Sequence, residues 1–200
     1  MFANWLKLRD MNTINDLVEK GVVQEKPFRD VALHPMIQEV AISETEPSVQ
    51  SCRILLNSLQ ETCLRHGYDV SYYKQMFQTI DHIVELIEKD DMPTYLRFLE
   101  DVFPYMEKYK YRSGMEMIVE EMNTLLKDTS LGTVSDRALL LDFRANCEVR
   151  TEKSIKYEKD AVELLKEITE DNALLASNLH ANLGGMYRES GKLELAKQHM

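Results

Sequence analysis

The chain has 200 residues, of which 44% are hydrophobic, so it is long enough for one domain or two small ones with a buried core, and disorder is not expected. Its 24 Lys and Arg residues against 34 Asp and Glu residues give a formal net charge of -10, which argues against nucleic acid or an anionic membrane as the main partner. Three cysteines without paired metal-ligand spacing predict reduced thiols in a cytoplasmic protein and no metal site.

The sequence argues against a zinc site and against insertion into a membrane. Cys63 and His66 are spaced to share a helix face, but no second pair of ligands accompanies them to complete a tetrahedral site. The opening stretch "MFANWLKLRDMN" carries charges, and no long uncharged apolar run follows it. We therefore expect neither a signal peptide nor a membrane span.

Residues 1–42 predict a helix, a hairpin and a second helix. The segment "DMNTINDLVEKGVV" gathers its apolar residues on one helix face and stops at Gly21. Two short apolar runs in "VVQEKPFRDVAL" flank Pro27 and predict a hairpin, and "HPMIQEVAISE" predicts a helix that begins at Pro35. Because this order occurs at the end of winged-helix domains, we interpret residues 1–42 as a winged-helix remnant.

The order "NDLVEKGVVQ…VALHPMIQEVA" resembles the winged-helix segment of STAND-type (NB-ARC, NLR-like) signalling ATPases. In that family the segment carries a Met-His-Asp motif, and its histidine contacts bound ADP. Leu33, His34 and Pro35 stand at those three positions, so the resemblance implies a nucleotide contact for His34 alone. The alternative interpretation of His34 is a partly buried residue bonded to a carbonyl at the helix start. The chain has no Walker A loop, so nucleotide hydrolysis is not expected of it.

From about Pro47 onward, apolar residues recur at steps of three and four, which predicts amphipathic helices separated by short breaks. Pro104 falls inside one of them and is expected to kink or split it. A long run of such helices joined by short loops predicts an α-solenoid of helical hairpins over residues 43–200. The stripes comprise Val49, Cys52, Leu56, Leu59 and Cys63; Met76, Ile80, Ile83, Val84 and Ile87; Leu96, Leu99, Phe103 and Met106; Met115, Ile118, Met122 and Leu125; Leu139 and Phe143; and Ala161, Leu164, Leu165 and Ile168.

The final stretch, "LHANLGGMYRESGKLELAKQHM", has the residue spacing of a known helical repeat. Small residues stand where the two helices of a hairpin would cross, and larger ones fill the space around the crossing. The residues at the motif positions are His180, Leu183, Gly184, Tyr187, Ala196 and Met200. From Ser177 to Met200 the chain resembles the tetratricopeptide repeat (TPR) family. The resemblance implies an all-α solenoid of TPR-like hairpins whose last repeat is incomplete.

An earlier segment matches the same repeat in part. Tyr105 and Gly114 have the spacing of Tyr187 and Ala196, although the Leu-Gly pair is missing, and we expect a degenerate repeat there. In TPR arrays the first helix of each repeat lines a concave surface that binds peptides. That geometry implies a binding face on which we single out Asn178 and Asn182, with Arg188 at its edge; the remaining members of the face are Ala181, Gly185 and Glu189. The alternative interpretation is that Asn178 and Asn182 face solvent or cap neighbouring backbone groups.

We expect no enzyme and no cofactor. The sequence lacks a Gly-x-Ser-x-Gly elbow, and the paired carboxylates Asp90-Asp91 and Glu120-Glu121 fall at helix ends or on exposed faces. The predicted function is a protein- or peptide-binding module, the sensor region of a larger STAND-type signalling ATPase. The alternative is a winged-helix DNA-binding regulator with a peptide-sensing array, against which the acidic residues of the first segment argue. An uncapped C-terminal end also predicts self-association.

Overall fold

A computed structural model describes residues 10, 12–26, 30–65, 73–148 and 152–199. The described part is mostly helical, with one two-stranded sheet, and the all-α class is confirmed. Its elements in chain order are α1 (Asn12–Glu19), β1 (Val23–Lys26), β2 (Asp30–Leu33), α2 (Pro35–Glu44), α3 (Arg53–Arg65), α4 (Tyr73–Leu86), α5 (Met92–Lys108), α6 (Arg112–Leu125), α7 (Val134–Cys147), α8 (Glu152–Leu164), α9 (Ala173–Glu189) and α10 (Leu193–Gln198).

The first segment has the predicted order of helix, hairpin and helix. Helix α1 stops at Gly21, whose φ of 69° gives the left-handed turn that ends many helices. Strands β1 and β2 pair antiparallel, with Val23 opposite Leu33, and α2 begins at Pro35. Pro27, the centre of the predicted hairpin, lies outside the described residues. The interpretation of this segment as a winged-helix remnant stays a prediction.

The apolar stripes of α3 to α6 form the main core, as their spacing predicted. One large cluster contains buried side chains from Val49 to Phe143. A second cluster joins α7, α8 and α9, and a third joins α8, α9 and α10. The closest helix contacts follow the chain, since α6, α7, α8, α9 and α10 each pack on the preceding helix. Contacts also join α3 to α5 and α4 to α6.

The prediction at Pro104 allowed a kink or a split of the helix. Helix α5 runs unbroken through Pro104, so it is not split there, and the expected bend stays a prediction. Pro104 is exposed, while Phe103 and Tyr105 on either side are buried and hold the helix in the core. The stripe predicted from Ala161 to Ile168 is confirmed in part: Ala161 and Leu165 are buried, whereas Leu164 and Ile168 are 44% and 61% exposed. Ser154 and Glu158 also belong to the buried side of α8.

The α5–α6 and α9–α10 hairpins turn in the same way. In each turn two successive N–H groups donate to carbonyls three and five residues earlier, and the first of the two donor residues has a positive φ. The donor–acceptor pairs are Lys110–Glu107 (2.9 Å) and Tyr111–Met106 (2.9 Å) in the first turn, and Gly191–Arg188 (3.1 Å) and Lys192–Tyr187 (2.9 Å) in the second.

These matched hydrogen bonds correct the alignment of the segment around Tyr105 and Gly114 with the C-terminal repeat. The turns place Met106 where Tyr187 stands, so the sequence match of Tyr105 to Tyr187 is displaced by one residue. Both Tyr105 and Gly114 are nevertheless buried. A Cβ added to Gly114 would lie 2.5 Å from the Tyr111 ring, so the absence of a side chain at Gly114 permits the close packing there.

Candidate functional site

A groove of about 620 Å³ opens between four parts of the helical region. Glu107 and Met115 line it from α5 and α6, with Lys110 in the turn between these helices. Cys147 lines it from the end of α7, and Ser154 from the start of α8. One face of α9 closes the remaining side, so the groove brings together residues that are distant in sequence.

The α9 wall contains much of the predicted binding face. Its members in the groove are Ala181, Asn182, Gly185 and Glu189. Asn182 Nδ2 donates a hydrogen bond to Asp142 Oδ1 over 3.1 Å, which ties the amide to α7. Asn178 is exposed on the same helix but does not belong to the lining of this groove.

Arg188 lies in a second cavity, of about 400 Å³, together with Ser177, His180 and His199. The two imidazoles face each other with 2.9 Å between their Nδ1 atoms, so one nitrogen donates and the other accepts. Burial and then the nearby charge of His180 lower the pKa of His199. Ala181 and Gly185 line both cavities, so the structure places Asn182 and Arg188 in adjoining sites rather than in one.

Gly185 marks the boundary of the two cavities. A Cβ added there would meet no atom within 4 Å, so packing does not require a glycine. A glycine inside a helix costs about 0.5–1 kcal/mol relative to alanine, because it loses more backbone entropy on folding. Its effect here is to leave the wall of the groove open beside α9.

The groove sits over a cluster of acidic side chains that the sequence did not reveal. Glu158 of α8 is fully buried, and Asp142 of α7 is nearly so. Burial first, and then the charge of Asp142, raise the pKa of Glu158 to about 9. Burial raises the pKa of Asp142, and burial followed by the charge of Asp142 raises the pKa of Glu107. The Asp142–Glu158 pair therefore holds a proton at neutral pH.

The position of Glu158 in the sequence has the spacing of a buried helix face, but that face is not purely apolar. The buried positions of α8 are Ser154, Glu158 and Ala161, and Leu165 just after the helix continues the same four- and three-residue steps. Two of the four side chains are polar, so a search for apolar periodicity misses the stripe.

The paired carboxylates named from the sequence lie elsewhere: Asp91 caps α5 by accepting from the Thr94 N–H over 3.1 Å.

Two cations stand at the α5–α6 end of the groove. Arg112 Nε donates to Glu116 Oε1 over 2.7 Å, so this guanidinium already has an acidic partner. Lys110 has a φ of 53°, a left-handed conformation that glycine adopts more readily. Lys110 therefore stands at the rim at some cost in stability.

The thiol in the groove is not activated. Burial and the charge of Glu116 raise the pKa of Cys147 to about 11, so the nucleophilic thiolate is scarce at neutral pH. Cys63 behaves alike, with a pKa of about 12, and all three cysteines are unpaired. His66, whose spacing puts it on the same helix face as Cys63, lies outside the described residues, as does Met200. Within the described ranges, no group of three or more His, Cys, Asp or Glu residues is placed to hold a metal ion.

His34 caps the start of α2. Its Nδ1 accepts a hydrogen bond from the Met36 N–H over 3.3 Å, and its own backbone N–H donates to Val22 O over 3.0 Å. The expectation that a carbonyl satisfies the side chain was wrong, because the partner of the ring is an N–H group and the ring is the acceptor. The nucleotide contact implied for His34 stays a prediction.

Comparisons with known proteins give no family assignment: no protein-family model matches the sequence, and searches of curated proteins and of solved structures found no significant match. None of the helices in the described ranges combines the length and the apolar character needed to cross a membrane. The residues of the groove therefore carry the functional proposal that follows.

Proposed function

We propose that this chain is a non-enzymatic binding module built from TPR-like hairpins, and that it takes an extended peptide or protein segment in the groove beside α9. The observation that carries this proposal is the groove itself, with Ala181, Asn182, Gly185 and Glu189 along one wall. Asn182 can donate to and accept from a peptide backbone, and its tie to Asp142 fixes its orientation.

The helix contacts support a solenoid arrangement. From α6 onward each helix packs on its predecessor, and further contacts join α5 to α7 and α7 to α9, as expected when hairpins stack in a row. The three hydrophobic clusters succeed one another along the chain instead of forming one central core. The matched turns after α5 and α9 support a repeated unit.

Two features that lower stability coincide at the groove. Gly185 weakens α9 without any packing reason, and Lys110 holds a left-handed backbone where glycine would fit better. Residues that lower the stability of the fold are common at binding sites, because selection there favours binding of the ligand over stability. Their position supports a ligand-binding role for this surface.

The wider role that we propose is the sensor region of a cytoplasmic STAND-type signalling ATPase. The support is the order of elements from α1 to α2 before the helical region, together with the placement of His34 at the start of α2. A DNA-binding head would have the same element order, but the formal charge of -10 disfavours a phosphate backbone as partner.

Peptide selection on the purified chain tests the proposal. A display library of random linear peptides should yield a consensus that binds the wild-type chain. Gly185→Leu should abolish that binding, because the new side chain fills the groove without meeting any packed atom. The matched control is Gln78→Leu, an exposed position on α4 outside the groove, which should bind as the wild type does. Absence of a consensus, or equal binding by Gly185→Leu, would refute the groove as a peptide site.

Self-association through the C-terminal end is a separate proposal. Leu193 and Leu195 of α10 are exposed, which supports an apolar contact there. Sedimentation velocity at increasing concentration should show a dimer that Leu193→Glu with Leu195→Glu removes. A single monomer species at high concentration would contradict it.

A further inference from the structure

We propose that the groove selects peptides by a basic side chain, Lys or Arg, which it seats against Glu107 and Asn182 with the Asp142–Glu158 pair beneath. This inference rests on the proposed peptide-binding function and names the class of ligand. Four separate helices supply the four side chains, so the site depends on the packing of the whole region rather than on one motif.

The cluster is connected to the groove through two of its members. Glu107 and Asn182 line the groove, and the Asn182 amide bonds to Asp142. Glu158 interacts with both Asp142 and Asn182. It also lies one helical turn after Ser154, another lining residue, so the buried side of α8 faces the groove floor. The acidic pair is therefore one side chain away from a ligand in the groove.

Glu158 is fully buried beside acidic groups. Its polar neighbours are the Asp142 carboxyl and the Asn182 amide. The charged side chains that act on it are Asp142 and Glu107, both of them acidic. A carboxylate in that position would be a buried charge beside a like charge, so the Asp142–Glu158 pair holds a proton in the free protein.

The other charged groups around the groove leave the floor acidic. Arg112 pairs with Glu116, and Glu148 pairs with Lys153, so these charges are already compensated. Lys110 stands in the turn at the α5–α6 end, and Glu189 lies on the α9 wall. A cation at the floor therefore meets Glu107, Asp142 and Glu158, while Lys110 remains available to a carbonyl or carboxylate elsewhere on the same peptide. The net charge of -10 also favours the approach of a basic peptide.

Binding of the cation changes the protonation of the floor. A guanidinium or ammonium beside Asp142 and Glu158 stabilises both groups as carboxylates, so the Glu158 O–H bond breaks and its proton leaves to solvent. Affinity for a basic peptide should accordingly rise with pH until Glu158 is ionised in the free protein, near its pKa of about 9. Linkage limits the gain to about tenfold per pH unit for one released proton.

Four pools of acetylated, amidated peptides test the inference on the full chain. Each pool fixes the central residue as Arg, Lys, Leu or Glu and randomises the flanks. Fluorescence polarisation at pH 7 should show the Arg and Lys pools binding about tenfold or more tighter than the Leu and Glu pools, as one well-placed charge pair allows. Calorimetry in two buffers of different ionisation enthalpy should show proton release with the Arg and Lys pools and none with the Leu and Glu pools.

Three variants locate the effect. Glu107→Gln should weaken the Arg and Lys pools several-fold and leave the Leu pool unchanged. Glu158→Gln is neutral like the protonated side chain it replaces, so it should keep the fold, weaken the Arg pool and abolish proton release. Glu120→Gln, at an exposed position on α6 away from the groove, should change neither quantity.

The outcomes separate this inference from the proposed function. Equal or tighter binding of the Leu or Glu pool, lost in Gly185→Leu, would overturn the selection of basic side chains and leave the peptide groove intact. A preference for Arg without proton release would overturn the part assigned to Asp142 and Glu158. Failure of every pool to bind would remove the proposed function and this inference together.

Discussion

The turns after α5 and α9 have the same backbone and different residues at the critical position. Both use a left-handed residue, which is Lys110 in the first turn and Gly191 in the second, with φ values of 53° and 73°. Glycine adopts this conformation without steric conflict, whereas a side chain costs about 1 kcal/mol there. The fold therefore determines the backbone of the turn but not the residue at its left-handed position. The turn that contains a lysine there, Lys110, is the one that lines the groove.

The two hairpins also differ in how much core they share. Helix α5 belongs to the largest hydrophobic cluster, where the rings of Phe103 and Phe143 stack with centroids 3.7 Å apart. The α9–α10 hairpin packs in a small cluster of Leu183, Tyr187 and Ala196. The first hairpin should therefore dominate stability, and the second should open more easily.

Truncation of a stacked ring should give the largest difference between the hairpins. Phe103→Ala should lower the free energy of unfolding by about 3–5 kcal/mol, because it removes a fully buried ring and leaves a cavity. Leu183→Ala in the small cluster should cost about 2 kcal/mol, near the lower end of such truncations. Urea unfolding measures both, and equal losses would show that the two hairpins share one cooperative core.

The helical glycines of the two hairpins should respond in opposite directions to the same substitution. In Gly114→Ala the methyl group meets the Tyr111 ring, which cannot retreat easily because it stacks on Phe77 at 4.4 Å. Overpacking of about 1–3 kcal/mol then exceeds the gain of about 1 kcal/mol in helix propensity. Gly185→Ala meets no atom and should stabilise by about 0.5–1 kcal/mol. Thermal unfolding of both variants checks the signs, and a stabilised Gly114→Ala would contradict the close packing.

The pH dependence of stability tests the buried Glu158 of α8, which lies between the two hairpins. Because the folded pKa of Glu158 is raised to about 9, its contribution to stability is fully present below its unfolded value and is lost as pH rises toward 9. Each such group lowers the free energy of unfolding by up to about 1.4 kcal/mol per pH unit. Glu100, raised to about 8 mainly by burial, acts in the same direction over a lower range.

Above pH 8 most of the contribution of Glu100 is already lost, so Glu158 is the main carboxyl that still titrates. Urea midpoints of the wild type should fall from pH 8 to 9, and those of Glu158→Gln should fall less steeply, because only the thiols Cys63 and Cys147 begin to contribute there. Glu100→Gln serves as the comparison variant, since its own effect is confined to lower pH. A decline of equal slope in Glu158→Gln would place the raised pKa on another group.

Exchange of the turn residues should give the smallest effect. Lys110→Gly should stabilise the chain by about 0.5–1 kcal/mol by relieving the left-handed strain, and Gly191→Ala should destabilise it by about 1 kcal/mol. If Lys110 serves the ligand, the stabilised variant should also bind the selected peptide more weakly. A variant that gains stability and loses no affinity would show that Lys110 has no part in binding.

The sequence predicted the elements that apolar spacing and turn residues define. The stripes from Val49 to Leu125 identified the core helices, because helix periodicity puts such residues on one buried face. Gly21 and Pro35 marked helix ends because their backbone preferences are strong. The sequence left open whether α5 splits or continues at Pro104, since that depends on which side of the helix meets solvent, and only the packed neighbours determine it.

The site was predictable in part for a similar reason. The TPR spacing indicated Asn182 and its neighbours, and these residues do line a groove. Local sequence could not indicate that Asn182 would bond to Asp142, because the contact depends on how α7 packs beside α9. Glu158 and Lys110 were missed because each occupies a position that its residue type disfavours: a buried stripe for the glutamate and a left-handed turn for the lysine.

The matched turns have a consequence for how such a chain can grow. Since α5 and α9 end with the same hydrogen bonds, the backbone leaves both helices in the same local geometry. Duplicating the segment from Glu107 to Tyr187 would insert another α6 to α9 between joints that already exist, with no new connection to invent. Lengthening by whole segments is thus open to this architecture, whether by gene duplication or by an engineer who wants a longer binding surface.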